Sequence, residues 1–271
     1  MKAYDLGFGV EVRALQTKTL YGEPLPGDGA VQAGWTGPWG PAIRPAQWPR
    51  SSITGLPMSH ALTLRLPSDY QRRGSDLSAI SFFTAGNFTE TPPPRPLVPD
   101  PESDDPFLRE LAGLEHHPEE VLLNDIIDGQ FALIWLADTE FAAGPVAPPA
   151  EVRRPGEHLY DDGGCFWDPD SEFDAGDTAW LVERPDPNAG KTPSESHVGD
   201  YRPLYDENTE MQPWATALFG RSHLGGTSFH LQSVPEGLTP YYLELEEIAG
   251  LNFGTGNAQI DLESGVFDWA C

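Results

Sequence analysis

Carboxylates at alternating positions are the first chemistry this chain offers. Asp168-Pro169-Asp170-Ser171-Glu172-Phe173-Asp174-Ala175-Gly176-Asp177 sets an acid at nearly every second residue. Closely spaced carboxylates supply the hard oxygens that Ca²⁺ takes. A calcium loop needs Gly at its sixth position and Glu at its twelfth, and here Phe173 and Ala179 stand there. A metal site on Asp168, Asp170, Glu172 and Asp174 is thus the alternative reading. A solvated or partner-facing acidic loop is the leading one.

Other reactive residue types are placed less well. His116-His117 with Glu119-Glu120 offers metal ligands, but Pro118 breaks the helical spacing they would need. His223 and His230 flank Gly225-Gly226 with no third His and no Cys nearby, and read as structural. The glycine pair reads as a turn needing positive φ more than as a phosphate cradle, because no G-x-x-x-x-G-K-[ST] accompanies it. Gly254-Thr255-Gly256 lacks the third glycine of a dinucleotide fingerprint and leads into strand-like residues, so it reads as a hairpin turn. Cys165 lies among Asp161, Asp162 and Asp168, whose charge disfavours a thiolate nucleophile. No G-x-S-x-G elbow occurs. The expectation is a binding protein, not an enzyme, with no cofactor.

Charge carries more information than any motif. Residues 100–210 hold 28 Asp/Glu against 6 Lys/Arg, a net of −22 out of −26 for the whole chain. Binding phosphate requires cationic side chains, so this field excludes nucleic acid and anionic membranes as partners. It favours encounter with a basic protein, although acidity also serves solubility. No run approaches 18 apolar residues, Met1–Val10 lacks the pattern of a secretory leader, and Cys165 and Cys271 are too few for a disulfide framework. A cytoplasmic location is the simplest expectation.

The elements that must position these residues are mostly strands. Gly and Pro number 28 each, which favours turns and short strands. Gly7–Val12 alternates weakly. Gly22–Pro49 reads as a loop packed by Trp35, Trp39 and Trp48. His60–Leu66 alternates with period two and sets Leu62, Leu64 and Leu66 on one face. Leu77–Phe83, Phe131–Leu136, Thr178–Val182, Tyr241–Leu245 and Ala258–Leu262 are further strands. Glu90–Pro106 is a Pro/Asp hinge, after which Asp105-Pro106 opens a short helix with Phe107, Leu108, Leu111 and Leu114 on one face. A second helix is expected from Pro118 through Val121, Leu122 and Ile126 to Gly129. Residues 157–210 read mostly as acidic loop.

A faint repeat links the two ends. Gly55-Leu56-Pro57, a strand, a loop, a strand and Gly86-Asn87-Phe88 are echoed by Leu238-Thr239-Pro240, two strands and Gly265-Val266-Phe267. These stretches also carry a likeness. Phe219-Gly220-Arg221-Ser222-His223-Leu224-Gly225-Gly226 followed by Phe229-His230-Leu231-Gln232, and Leu243-Glu244-Leu245 followed by Leu251-Asn252-Phe253-Gly254-Thr255-Gly256-Asn257-Ala258-Gln259-Ile260, resemble the YwqG-like family of bacterial domains. Trp48-Pro49 and Gly55-Leu56-Pro57-Met58 resemble its first element. The likeness covers 214–267 best and 35–86 more thinly. It departs at Leu64 or Arg65, where the family has Gln, and at Thr255, where it has Asp. Some members are encoded beside bacterial toxins, so the resemblance implies an immunity role.

The expected fold is α+β: two related, mostly antiparallel β-rich halves at 1–90 and 214–271, with an acidic Pro-rich helix/loop insert at 91–213, together one compact domain. The expected function is inhibition of a co-encoded basic toxin by covering its cationic surface. Aromatics beside acids are the expected anchors. Tyr160, Asp161, Asp162, Phe166, Trp167, Asp168, Asp170, Glu172, Phe173, Asp174 and Asp177 make up the expected partner surface.

Overall fold

A computed structural model describes residues 1–17, 24–85, 97–124, 129–150, 176–195, 200–206, 208, 210–249, 251 and 253–271. Among these, eleven strands form one sheet: β1 Ala3–Phe8, β2 Val31–Thr36, β3 Ser59–Arg65, β4 Leu77–Thr84, β5 Glu120–Asn124, β6 Gln130–Ala137, β7 Thr178–Arg184, β8 His223–Leu224, β9 Tyr242–Leu245, β10 Asn257–Asp261 and β11 Phe267–Ala270. Their order is β11-β10-β9-β8-β1-β7-β2-β3-β4-β6-β5, and every pairing is antiparallel.

The sheet curls around one inner core. Leu6, Ala33, Leu64, Phe82, Leu133, Leu181, Leu224, Leu243 and Ile260 all enter it. The two ends of the sheet approach each other there. Phe267 of β11 lies 4.8 Å from the Phe131 ring of β6 and 6.1 Å from that of Phe82 on β4. The result is a nearly closed, barrel-like sheet.

Apolar residues at successive positions make β6, and part of β4, apolar on both faces. On β6, Phe131, Leu133 and Trp135 point inward, while Ala132, Ile134 and Leu136 join an outer cluster with Trp48, Met58 and Phe83. Leu62, Leu64 and Leu66 share the inner face as the alternation predicts. Trp48 packs edge-on to Phe83 at 5.3 Å and donates its Nε1–H to Met58 O at 2.8 Å. The stretch read as an aromatic loop therefore does pack by Trp48, but it also contains β2.

Three short α-helices occur among the described residues: α1 Pro106–Ala112, α2 Asp138–Ala142 and α3 Pro213–Thr216. Asp105 caps α1 by accepting from Phe107 N at 2.9 Å, and Phe107 and Leu111 are its buried face. Leu108 and Leu114 are only partly covered. The helix expected from Pro118 is instead β5, an edge strand whose Leu123 alone is buried. The α+β expectation is corrected accordingly: the chain is mainly antiparallel β. Residues 91–213 are not simply a helix and loop insert, since they supply β5, β6 and the central β7. No helix among the described residues is long and apolar enough to cross a membrane.

Candidate functional site

Most of the expected partner surface, namely Tyr160, Asp161, Asp162, Phe166, Trp167, Asp168, Asp170, Glu172, Phe173 and Asp174, lies outside the described residues. Asp177 lies within them, and it shows where the acidic segment rejoins the sheet. Thr36 N donates to Asp177 O at 2.9 Å, and Asp177 N donates to Thr36 Oγ1 at 3.2 Å. On the other side, Gly40 N donates to Val146 O at 3.0 Å, and Val146 N donates to Gly40 O at 2.8 Å. Residues flanking the 151–175 segment on both sides are thus tied to one five-residue turn, Thr36-Gly37-Pro38-Trp39-Gly40. The segment itself carries eight acids and two arginines.

That turn presents Trp39, 53 % exposed. Beneath it, Trp35 donates its Nε1–H to Trp39 O at 2.8 Å and lies tilted against Phe141 of α2 at 5.4 Å, and the Arg65 guanidinium lies 4.6 Å over the same Phe141 ring. His60 fixes the turn from inside the protein, with Nδ1 2.5 Å from Gly37 O and Nε2 2.8 Å from Thr63 Oγ1. Thr63 Oγ1 in turn lies 2.8 Å from Ser81 Oγ. Burial drives the His60 pKa down to about 4, so the ring is neutral, donates to Gly37 O through Nδ1 and accepts from Thr63. Trp39 is thus an exposed aromatic side chain on a turn whose backbone is held from within.

One row of polar side chains lies elsewhere and is sealed. Asp5, His223, Glu244 and Gln259 are direct cross-strand neighbours on β1, β8, β9 and β10. They point away from the inner core, yet none is more than 2 % exposed. A lid over them holds Leu204, Ala215, Leu218 and Phe229 in a small apolar cluster. Glu244 accepts from Phe229 N at 3.0 Å, Ser228 Oγ at 3.2 Å and Gln259 Nε2 at 3.1 Å. Burial still outweighs these bonds and pushes its carboxyl up to about 8. Burial, and then the nearby Arg184 charge, hold the His223 imidazole well below its ordinary pKa. Ser228 bonds Glu244 instead of His223, so these groups form a structural row and not a nucleophile relay.

The row ends in an ion cluster. Arg184 donates to Asp5 Oδ1 at 2.7 Å and to Asp186 Oδ2 at 2.8 Å, while Arg221 takes the other Asp5 oxygen at 2.7 Å. Asp186 also accepts from Thr227 N at 2.9 Å. Gly225 and Gly226 have φ of 55° and 86°, as their turn reading requires. A Cβ on Gly226 would also sit 2.5 Å from Asp186 Oδ2.

His116 and His117 have ordinary carboxylate partners. His117 Nε2 lies 3.1 Å from Glu140 Oε1, and His116 Nδ1 lies 3.3 Å from Glu120 Oε2. Among the described residues no three His, Cys, Asp or Glu are grouped to hold a metal. Read from the sequence as a residue that packs a loop, Trp39 is instead exposed on the turn Gly37-Pro38-Trp39-Gly40-Pro41. Compared with family models, curated proteins and solved structures, the chain has no significant match.

Proposed function

We propose that this chain is a protein-binding inhibitor, an immunity protein that neutralises a co-encoded basic bacterial toxin by covering its cationic surface. One observation carries the reading: the residues flanking the acidic 151–175 segment are hydrogen-bonded to the turn that exposes Trp39. The segment's sequence carries eight carboxylates, and its described flanks meet at a turn that exposes an aromatic side chain. Charge steers the encounter, and a desolvated tryptophan supplies the affinity. The resemblance to the YwqG-like family supports the same role. So does the burial of His223 and Glu244, whose partners come from the sheet and from the covering Ser228 and Phe229.

The two β-rich stretches further read as related halves. β2-β3-β4-β6 and β8-β9-β10-β11 are both antiparallel meanders running outward from a central β1–β7 pair. Thr63 and Ser81 occupy one cross-strand row on β3 and β4, as Glu244 and Gln259 do on β9 and β10. A duplication whose copies exchange their leading strands accounts for this order.

Co-expression with the toxin domain encoded by the neighbouring gene tests the function. Rescue of growth that is lost with Trp39→Ala supports it. A folded wild-type chain that fails to rescue sinks it.

A further inference from the structure

A separate surface opens between loops 192–195 and 234–240, where a groove of ≈ 730 Å³ lies open to solvent. Pro193, Pro235 and Pro240 stiffen its walls. Glu195, Glu236 and Glu263 line it, and among the described residues no Lys, Arg or His does. The loops are braced in place. Val234 N donates to Glu195 Oε1 at 2.7 Å. Buried Asp261 accepts from Thr239 N at 2.6 Å, Glu263 N at 2.9 Å and Ser264 N at 2.6 Å.

Outside the lining, the protein's own Arg72 shows what one of the groove's acids, Glu263, holds. Its Nε and Nη2 donate to Glu263 Oε1 at 3.0 and 2.6 Å, and its guanidinium lies 4.0 Å over the Tyr241 ring. Carboxylate on one side and aromatic face on the other suit a planar guanidinium better than a compact ammonium. The remaining acids, Glu195 and Glu236, repeat the charge with no arginine among the described lining residues to answer it, although Glu195 already holds Val234 N on one oxygen and has His230 within electrostatic reach.

We propose that this groove binds an extended, arginine-bearing peptide segment of a protein partner. The open shape admits a chain passing through, where an enclosed cavity would admit only a small molecule. Stiff walls reduce the ordering cost of binding. The site shares no residue with the Trp39 turn and stands or falls independently of the toxin reading.

The test is fluorescence anisotropy of a labelled (Gly-Arg)₄ peptide on the full chain. Saturable binding that weakens with salt is expected. Glu236→Lys, or Glu195→Gln where reversal proves harmful to folding, should weaken it about tenfold, as loss of a close charge contact does. Asp28→Lys makes the same change in net charge at an exposed loop outside the groove and should leave the affinity unchanged, as should Trp39→Ala. Absence of saturable binding overturns the proposal. So does an Asp28→Lys effect equal to that of Glu236→Lys, which would mean diffuse attraction to an acidic protein.

Discussion

His223 and Glu244 face each other across β8 and β9, both sealed from solvent, with the imidazole Nδ1 3.8 Å from a carboxyl oxygen. Burial holds both neutral near pH 7, an acid kept protonated beside a base kept unprotonated.

Their opposite shifts predict a stability optimum in pH. Glu244, at about 8, and Glu246, at about 7, hold protons in the folded state that the unfolded chain releases near the ordinary 4.5. Their contribution is complete below the unfolded value and is lost as pH rises through the folded one. His60, at about 4, and His223 work the other way, adding stability as pH rises toward 6.5. The two effects oppose each other up to about pH 6.5, and above it only the carboxyls act, so stability falls toward about pH 8. Urea unfolding across this range should show the decline, and Glu244→Gln should flatten it. A stability that keeps rising to pH 8 would refute the assignment.

Arg184 is the cation on which Asp5 and Asp186 both depend. Arg184→Met should destabilise by about 3–5 kcal/mol, the usual cost of stranding a buried charge. Adding Asp5→Asn should recover part of that loss, because the two residues are in contact and their effects do not add. A double-mutant cycle read by urea unfolding measures the coupling, and simple additivity would show the pair to be uncoupled.

Trp39→Ala should leave folding stability within about 0.5 kcal/mol, as for a surface change outside the core. The same substitution should cost partner affinity about 2 kcal/mol or more. Calorimetry against the toxin domain gives the second value and thermal melts give the first. His60→Ala should lower partner affinity less steeply, since it loosens the turn without removing the anchor.

Reversing Asp161, Asp162, Asp168 and Asp170 to Lys should slow association with the toxin domain and reduce its salt dependence, with less effect on dissociation. Stopped-flow mixing at two ionic strengths separates these rates. Titration with Ca²⁺ completes the comparison: a stoichiometric, tight heat of binding would favour the metal reading of Asp168, Asp170, Glu172 and Asp174.

Strands with uninterrupted apolar alternation were legible in the residues. His60–Leu66, Leu77–Phe83 and Phe131–Leu136 all lie in the sheet, and the Asp105 cap marked α1. β5 was misread as a helix because it is an edge strand with one buried residue, so Pro118 and the spacing of Val121, Leu122 and Ile126 outweighed its alternation. β2 was hidden by Gly34, where a Cβ would lie 1.9 Å from Thr63 O; close approach of the strands demands a residue that looks like a loop signal. The row of His223, Glu244 and Gln259 was illegible for a different reason. Polar residues alternating with Leu243, Leu245 and Ile260 look like a solvent face, and only the distant lid residues such as Leu204 and Phe229 make that face an interior.

The position of β1 also has a consequence for how the protein is made. β1 is synthesised before the other ten described strands, yet its neighbours are β7 and β8, with Ala3 opposite Arg184 and Tyr4 opposite Leu224. The β2-β3-β4-β6 meander can close while translation continues, but β1 must wait for most of the chain. Until β7 arrives, both the flank of β2 and the length of β1 are unpaired edges, the state in which a nascent sheet is most open to capture by another chain. Slowing synthesis between β6 and β7 should therefore lower the yield of native protein more than an equal delay placed after β8.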